Sequence, residues 1–298
     1  MKSSTYCAVI NWGRNEEKMN IIKLKSMLEK FYMEDIGDGD LSSMHLFPKT
    51  EIGEMDIVAK MSGIFCGKQI IEECLRSVDV SSTVQCHFED GENVVNGTVI
   101  ATAKGNVQSL LMSERVLLNL IQRMSGIATE TNEVAKLVEG TNTKICDTRK
   151  TMPGLRMLDK YAVRIGGGFN HRNGLFDAVM LKDNHIAFAG SITKAVKSVR
   201  ENVGHTVAIE VEIETLEQVE EAVAAHADII MFDNCTPKEI EKWRKTIPDS
   251  IITEASGMIT KETIYDYASA GVDYISLGYL THSVRAFDIS ANVSTNIN

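Results

Sequence analysis

The spacing of apolar residues divides the chain into a first part of mixed elements and a second part that repeats. Between Met19 and Glu34 apolar residues recur at helical spacing, which predicts an amphipathic helix. Short β-rich runs with glycine punctuation follow over 56–106 and predict antiparallel strands, interrupted by one helix around 70–78. Two further helical patterns occupy 108–120 and 129–138.

From about residue 143 short apolar runs alternate with helical stretches. The later runs end 21 to 24 residues apart, a length that suits one strand, one helix and their loops. Such alternation predicts an α/β fold with a parallel sheet, and we favour a barrel over a doubly wound sheet because its strand ends converge on one site. The barrel is expected to be incomplete, since we count six strands where eight are usual. The runs end near Asp147, Lys182, Glu212, Asp233, Glu254 and Gly278.

Composition narrows the class of protein. The 298 residues suggest one large domain or two smaller ones, and a net charge of −10 disfavours nucleic-acid and anionic-membrane partners. The six scattered cysteines form no CxxC pair, so we expect reduced thiols and no structural zinc site. The apolar run "YCAVINW" is too short for a signal peptide, and no window approaches 18 apolar residues. We therefore expect a cytoplasmic protein.

Cations concentrate in residues 147–185, where seven Lys/Arg face four Asp and the local balance is +3. In this stretch Arg149 can bind a carboxylate or phosphate through two hydrogen bonds, and Lys150 adds a second cation. The glycines of "RIGGGFNHR" allow a ligand to approach closely beside His171 and Arg172. The alternatives are a surface loop with ordinary cations and a glycine-rich helix cap.

Charged residues also occupy predicted strand ends. Lys182 closes a strand, where an inward-facing lysine is costly unless it meets an anion. In "EVEIE" the period-two spacing puts Glu210, Glu212 and Glu214 on one side, where three acids need a metal or a cation. The alternatives are a surface pair of Lys182 with Asp183 and a solvent-facing strand edge.

Small residues follow the two last strands, in "EASGM" and "LGYLTHS", which is typical of the phosphate site of α/β barrels. An earlier helix carries Arg115 and Arg123 on otherwise apolar faces. They are either surface arginines with packed stems or arginines that reach a site, including a site on a second subunit.

In this order the motifs resemble the quinolinate phosphoribosyltransferases, also called carboxylating nicotinate-nucleotide pyrophosphorylases. The resemblance extends from about residue 34 to about residue 290. It is carried by the whole stretch 147–185 and by "ERVLLNLIQRMSGIAT", "IEVEIETLEQV", "IIMFDN" and "EASG".

The resemblance implies a type II phosphoribosyltransferase fold, an N-terminal α/β sandwich plus a C-terminal open α/β barrel. We therefore expect a flexible lead over 1–18, the sandwich over 19–125, the barrel with the phosphoribosyl site over 126–284, and a tail over 285–298 that packs on the N-terminal domain. The implied reaction transfers ribose 5-phosphate from phosphoribosyl pyrophosphate to quinolinate, releases CO2 and pyrophosphate, and gives nicotinate mononucleotide for NAD biosynthesis. Mg²⁺ is expected to accompany the pyrophosphate, with no metal bound by the protein alone. A homodimer or larger homo-oligomer with a shared active site is also implied.

The resemblance further assigns residues to the two substrates. The carboxylates of quinolinate are expected to meet Arg149, His171, Arg172 and Lys182, with Arg115 lent by the neighbouring subunit. Lys150 is expected at the pyrophosphate, Thr148 is expected among the substrate-binding residues, and Glu212 and Asp233 are expected at the ribose hydroxyls and the magnesium-linked donor. The catalytic residues are expected to be Lys150, Lys182, Glu212 and Asp233. The loops around the 5-phosphate are expected to be Ser256, Gly257 and Met258, and Leu277, Gly278 and Tyr279; Met258 departs from the family, which commonly has a second glycine there.

Three alternatives remain at this stage. One is a related phosphoribosyltransferase that acts on nicotinate or another anionic ring. Another is a non-catalytic protein that binds a dicarboxylate or a sugar phosphate, although binding alone needs neither Glu212 nor Asp233. The last is an aldolase with Lys182 as Schiff base, which the surrounding arginines disfavour.

Overall fold

The computed structural model describes residues 18–294, so the predicted flexible lead lies outside the described residues except for Lys18. The described chain forms two compact units. We call Glu133–Thr151 with Gly168–His282 the barrel unit. The N-terminal unit consists of 18–132, Met152–Gly167 and 283–294.

The first helix of the N-terminal unit, α1 (Ile21–Ile36), begins where the Asn20 side chain accepts a hydrogen bond from the Lys23 amide. Its buried face is formed by Leu24, Leu28 and Tyr32. Ile22, one of the apolar residues on which the helical pattern rests, is 78% exposed. The elements that follow are α2 (Leu41–Leu46), β1 (Ile52–Ala59), β2 (Gly63–Ile64), α3 (Lys68–Val78), β3 (Thr83–Cys86), β4 (Asn93–Val94) and β5 (Val99–Asn106).

One continuous helix, α4 (Val107–Leu137), replaces the two helices that the pattern predicted. It passes through Gly126, which lies between the two predicted helical patterns. A Cβ at Gly126 would lie 2.3 Å from the backbone oxygen of Arg285. The glycine is therefore needed because a later segment crosses the helix at contact distance, and it does not end the helix.

The barrel unit contains a six-stranded parallel sheet, which confirms the six predicted strands. Its order is β6-β11-β10-β9-β8-β7. Strands consecutive in the chain are neighbours, except that β6 pairs with the last strand, β11, instead of with β7. This is the order of a barrel that is open between its first two strands. In a doubly wound sheet the order of the strands would instead reverse near the middle of the sheet. The strands are β6 (Lys144–Cys146), β7 (Val179–Leu181), β8 (Ile209–Ile213), β9 (Ile229–Asp233), β10 (Ile252–Ser256) and β11 (Tyr274–Ser276).

Helices connect these strands. Helix α5 (Arg156–Ile165) belongs to the N-terminal unit. The amides of Gly166 and Gly167 donate to carbonyls of α5, so two of the three glycines cap this helix, as the alternative interpretation had it. The barrel helices are α6 (Asp183–Ala189), α7 (Ile192–Arg200), α8 (Leu216–Ala224), α9 (Pro237–Arg244), α10 (Ile264–Ser269) and α11 (Tyr279–His282).

The segment 169–172 extends the sheet at the opening of the barrel. The Phe169 amide donates to the Ile145 carbonyl at 2.8 Å, and the Asp147 amide donates to the Phe169 carbonyl at 3.0 Å. This pairing continues the edge of β6 and brings His171 and Arg172 beside the end of that strand.

The final strand, β12 (Ile289–Ser294), belongs to the N-terminal unit. It pairs antiparallel with β1, from Ala59 with Ile289 to Glu54 with Ser294. The resulting sheet has the order β12-β1-β5-β3. Among the described helices, none has the length and apolar character that crossing a membrane requires.

Candidate active site

Three of the predicted site residues form one charged cluster at the carboxyl ends of β7, β8 and β9. The Lys182 ammonium donates a hydrogen bond to Glu212, and the charges of both residues act on the neighbouring carboxyl group of Asp233. Burial, followed by the charge of Glu212, raises the pKa of Asp233, and the charge of Lys182 opposes this. One lysine thus serves two neighbouring carboxylates, which leaves an excess of negative charge. We call the edge of the barrel at the carboxyl ends of its strands the rim.

The backbone of Lys182 is fixed by the start of α6. Its amide donates to Nδ1 of His185 at 3.1 Å, three residues later. The Lys182 side chain is 45% exposed, and its ion pair is with Glu212, where the alternative interpretation proposed a surface pair with Asp183. Glu214 lies beyond the end of β8 and is exposed, so only two acids of "EVEIE" belong to the strand's charged face.

Two arginines form a second part of the rim. Arg172 donates to the Ala178 carbonyl at 3.2 Å. Burial and then the nearby charge of Arg149 lower the pKa of the Arg172 guanidinium. Two like charges held this close are stabilised by an anion between or beside them, and each guanidinium has the planar geometry that a carboxylate needs.

The loop after β6 holds the remaining cation, Lys150. The Lys150 amide donates to Oγ1 of Thr148 at 3.0 Å, and Thr281 donates its hydroxyl to the Lys150 carbonyl at 2.9 Å. A Cβ at Gly278 would lie 2.9 Å from Cδ of Lys150. The lysine stem therefore passes against the loop Leu277–Tyr279, which follows β11. The Leu277 amide donates to the Cys146 carbonyl at 2.9 Å.

The loop Ser256–Met258, at the end of β10, has two residues with positive φ. Gly257 has φ of 92°, and a Cβ there would lie 2.2 Å from Oδ1 of Asn234. Met258 has φ of 49°, a left-handed conformation that favours glycine, and its side chain is 88% exposed. The backbone of Ser256 accepts a hydrogen bond from the Asn234 amide at 3.0 Å, which ties this loop to the end of β9.

Sequence reasoning missed a buried acidic layer behind the arginines. The Nε2 atom of His171 lies 3.0 Å from Glu210 and 3.7 Å from Glu254, and both acids are almost fully buried. Burial and then the charge of Glu210 raise the pKa of Glu254 to about 7. Asp147 is also fully buried and accepts hydrogen bonds from the His171 amide and the Asn170 side chain. The alternation along β8 and β10 was the available signal, because it puts Glu210 on the face of Glu212 and Glu254 on the face of Ser256.

The two arginines of α4 lie in the N-terminal unit. Arg115 has a side chain that is 60% exposed and lies 3.8 Å from Glu114. Arg123 donates two hydrogen bonds of 2.8 Å to the fully buried Asp159 of α5. The alternative of a surface arginine is therefore wrong for Arg123, because its guanidinium closes an internal ion pair.

The barrel unit thus combines cations suited to carboxylates and phosphates with two acids suited to hydroxyl groups or a developing positive charge. No nucleophile with an activating base is needed for such an arrangement to act by positioning and electrostatics.

Comparison with known proteins agrees with this geometry. The sequence matches the quinolinate phosphoribosyl transferase N-terminal domain over residues 40–125 and the C-terminal domain over residues 127–292. It is 53% identical over 276 residues to a probable nicotinate-nucleotide pyrophosphorylase (carboxylating) of Bacillus subtilis, covering 93% of this chain and 95% of that protein.

Solved structures are similar as well. NadC from Streptococcus pyogenes has 37% identity and a TM-score of 0.90, with 93% of this chain and 99% of that chain covered. The nicotinate-nucleotide pyrophosphorylase from Francisella tularensis has 37% identity and a TM-score of 0.89, with 94% and 99% covered. On its sequence, its open barrel and its rim of charges, the chain belongs to the quinolinate phosphoribosyl transferase family.

Proposed function

We propose that this chain transfers ribose 5-phosphate from phosphoribosyl pyrophosphate to quinolinate, with loss of CO2, and so makes nicotinate mononucleotide for NAD biosynthesis. The observation that carries the proposal is the meeting of Lys182, Glu212 and Asp233 at the strand ends of a barrel that also carries the Arg149–Arg172 pair. Membership of the family supports it.

The first task is to bring two anions together. Quinolinate has two carboxylates, and the sugar donor carries a phosphate and a pyrophosphate, so their mutual repulsion in a partly buried site is strong. Arg149 and Arg172 bind the carboxylates, and their proximity suits a dicarboxylate better than a single charge. Lys182 stands between the ring and the ribose, and Lys150 with Thr148 binds the pyrophosphate.

Transfer then proceeds at the anomeric carbon. The bond from this carbon to the pyrophosphate oxygen breaks with its electron pair, and the ring nitrogen supplies the pair for the new C–N bond. Positive charge develops on the ribose between these events, and the excess carboxylate of Glu212 and Asp233 stabilises it. The loops at Ser256–Met258 and Leu277–Tyr279 hold the 5-phosphate through backbone amides.

Decarboxylation follows from the charge on the ring. The nitrogen is now quaternary, so the electron pair of the bond to the departing CO2 remains on the adjacent ring carbon and is stabilised there. That carbon then takes up a proton to give the product. The protein holds the adduct and its remaining carboxylate during this step, and no covalent intermediate with a side chain is needed.

Mg²⁺ fits the donor set, because Glu212 and Asp233 offer the hard carboxylate oxygens that it prefers, beside a pyrophosphate that offers more. When bound, it would be held by these acids and the pyrophosphate, and it would neutralise charge on the leaving group. The protein side chains perform the binding and orientation described above.

We further propose a homodimer or larger homo-oligomer in the cytoplasm. Leu175, Phe176 and Phe188 of the barrel unit are 76%, 87% and 94% exposed, which favours cover by a second copy. In that assembly Arg115 of the second copy adds a cation to the substrate carboxylates. The described cysteines are free thiols, as in a reducing compartment.

The reaction can be tested with the purified full chain, quinolinate, phosphoribosyl pyrophosphate and Mg²⁺. We expect nicotinate mononucleotide and CO2 in equal amounts, measured by chromatography and by release of label from the carboxylate next to the nitrogen. A matched reaction with nicotinate should give no CO2 and little nucleotide. Efficient use of nicotinate, or binding of quinolinate without product, would contradict the proposal.

A further inference from the structure

We propose that Glu210 and Glu254 are positioning residues. Glu210 holds the His171 ring toward the barrel interior and thereby fixes the backbone that presents Arg172 to the substrate, and Glu254 sets the buried charge beside that ring. The inference rests on the proposed function, since Arg172 is taken there as a carboxylate ligand. It differs from the implied role of His171, which the resemblance puts in direct contact with quinolinate.

The orientation of the His171 ring follows from its two nitrogen atoms. Nδ1 accepts a hydrogen bond from the Arg172 amide at 2.8 Å, so the ring proton is assigned to Nε2. Nε2 lies 3.0 Å from Oε2 and 3.3 Å from Oε1 of Glu210, within hydrogen-bond reach. Both nitrogens therefore have partners within the protein, and the ring acts on the substrate through Arg172.

The chain on either side of this ring is also fixed. Asp147, at the end of β6, accepts from the His171 amide at 2.9 Å and from Nδ2 of Asn170 at 2.6 Å. Glu210 holds the ring from β8, on the other side of the barrel opening. The next residue, Arg172, consequently leaves a doubly anchored segment, and its guanidinium meets the Ala178 carbonyl. Loss of either anchor should change where that guanidinium lies.

The two glutamates cannot both be charged without cost. Glu210 is 2% exposed and Glu254 is 4% exposed, and Oε1 of Glu254 makes no hydrogen bond within the described structure. The groups that face Glu254 are Glu210 from β8, His171 from the segment 169–172, Asp147 from β6 and the Ser276 hydroxyl from β11. A proton on Glu254 removes one of the buried negative charges, which is consistent with the raised pKa of this residue.

A bound divalent cation is the alternative to a shared proton in this cluster. His171, Glu210 and Glu254 bring three ligand atoms within 4.8 Å of one another, which also suits a divalent cation. We favour a shared proton because the distance from His171 to Glu210 is that of a hydrogen bond. Metal analysis of the purified protein separates the two, and one equivalent of metal that is lost in His171→Asn would overturn the proposal.

The main test is the pH dependence of KM for quinolinate, measured with the purified enzyme at pH 6 and pH 8 under saturating sugar donor. Glu254 is protonated below its pKa of about 7 and ionised above it. Ionisation adds a buried negative charge behind the arginines, so KM should rise with pH by about three- to tenfold. In Glu254→Gln, which resembles the protonated form at every pH, the ratio of the two KM values should fall to near one.

The matched control is Glu214→Gln, which removes an exposed charge just beyond β8 and should keep the wild-type ratio. The second variant, Glu210→Gln, weakens the anchor of the ring. It should raise KM for quinolinate about tenfold at both pH values and leave KM for the sugar donor unchanged, with thermal unfolding near that of the wild type. If Glu254→Gln fails to fold, the KM of Glu210→Gln for quinolinate alone tests the positioning role.

The outcomes separate the inference from the function beneath it. A wild-type enzyme that makes no nicotinate mononucleotide would refute the proposed function. A wild-type enzyme that makes it, while Glu254→Gln keeps the full pH dependence or Glu210→Gln keeps the wild-type KM, would refute only the positioning role.

Discussion

Two ionic clusters of this protein contain the same kinds of side chain in different states of balance. In the N-terminal unit, Arg123 and the fully buried Asp159 match one cation with one acid through two hydrogen bonds of 2.8 Å. In the barrel unit, Lys182 is shared by Glu212 and Asp233, and its side chain is 45% exposed. The first cluster is complete within the protein and stabilises the fold. The second has surplus charge and access to solvent, which are the properties of a site that awaits a ligand.

The largest effect is expected from breaking the complete pair. Arg123→Met leaves Asp159 buried without its cation and should lower the free energy of unfolding by about 3–5 kcal/mol. Urea unfolding measures this. Lys245→Met, which removes an exposed pair with Glu241, is the control and should cost less than about 1 kcal/mol. Equal stabilities of the two variants would remove the distinction drawn between the clusters.

Replacing a cation of the barrel cluster by methionine should lower activity strongly and stability only slightly. Lys182→Met should lower kcat/KM by about 10²–10³, or roughly 3–4 kcal/mol of transition-state stabilisation, because a cation at the reacting groups is lost. Its free energy of unfolding should stay within about 1 kcal/mol of the wild type, since the residue is partly exposed. A variant that unfolds as readily as Arg123→Met would assign Lys182 to the fold.

The incomplete cluster is also where a second copy is expected to contribute. Arg115→Ala and Lys182→Met should each be nearly inactive alone. When equal amounts are mixed and subunits exchange, half of the dimers are hybrids with one intact site, so about a quarter of wild-type activity should return. Activity assays with exchange verified by mass spectrometry measure this. Exchange without any recovery would contradict the shared site.

The smallest effect concerns the loop at the 5-phosphate. Met258 has φ of 49°, so Met258→Gly should remove backbone strain and raise the free energy of unfolding by about 1 kcal/mol. It should also lower KM for the sugar donor slightly, because a side chain beside the loop is removed. Met258→Ala, which keeps a Cβ and therefore the strain, is the control. A destabilised glycine variant would show that the exposed side chain contributes more than the strain costs.

Much of this architecture is readable in the sequence, because parallel strands bring their carboxyl ends together. Three apolar runs that end in a charge mark rim positions, since Lys182, Glu212 and Asp233 lie together. Asp147 and Glu254 end two other runs, but both are buried. Periodicity shows which face of a strand a residue occupies but not how deeply that residue is buried. It therefore put Glu210 on the same face as Glu212 but did not reveal that Glu210 is buried against His171. The ion pair of Arg123 and the continuous helix through Gly126 were not predicted for a related reason, since their partners, Asp159 and Arg285, are distant in the chain.

The pairing of β12 with β1 sets the order in which this protein can be completed on the ribosome. Strand β12 follows β5 by about 180 residues, so β1 emerges long before its second partner. Until then one edge of β1 keeps its amide and carbonyl groups exposed, and such an edge recruits strands from other chains. A nascent chain halted within the barrel would therefore carry an unfinished first sheet, and its release would favour aggregation over folding.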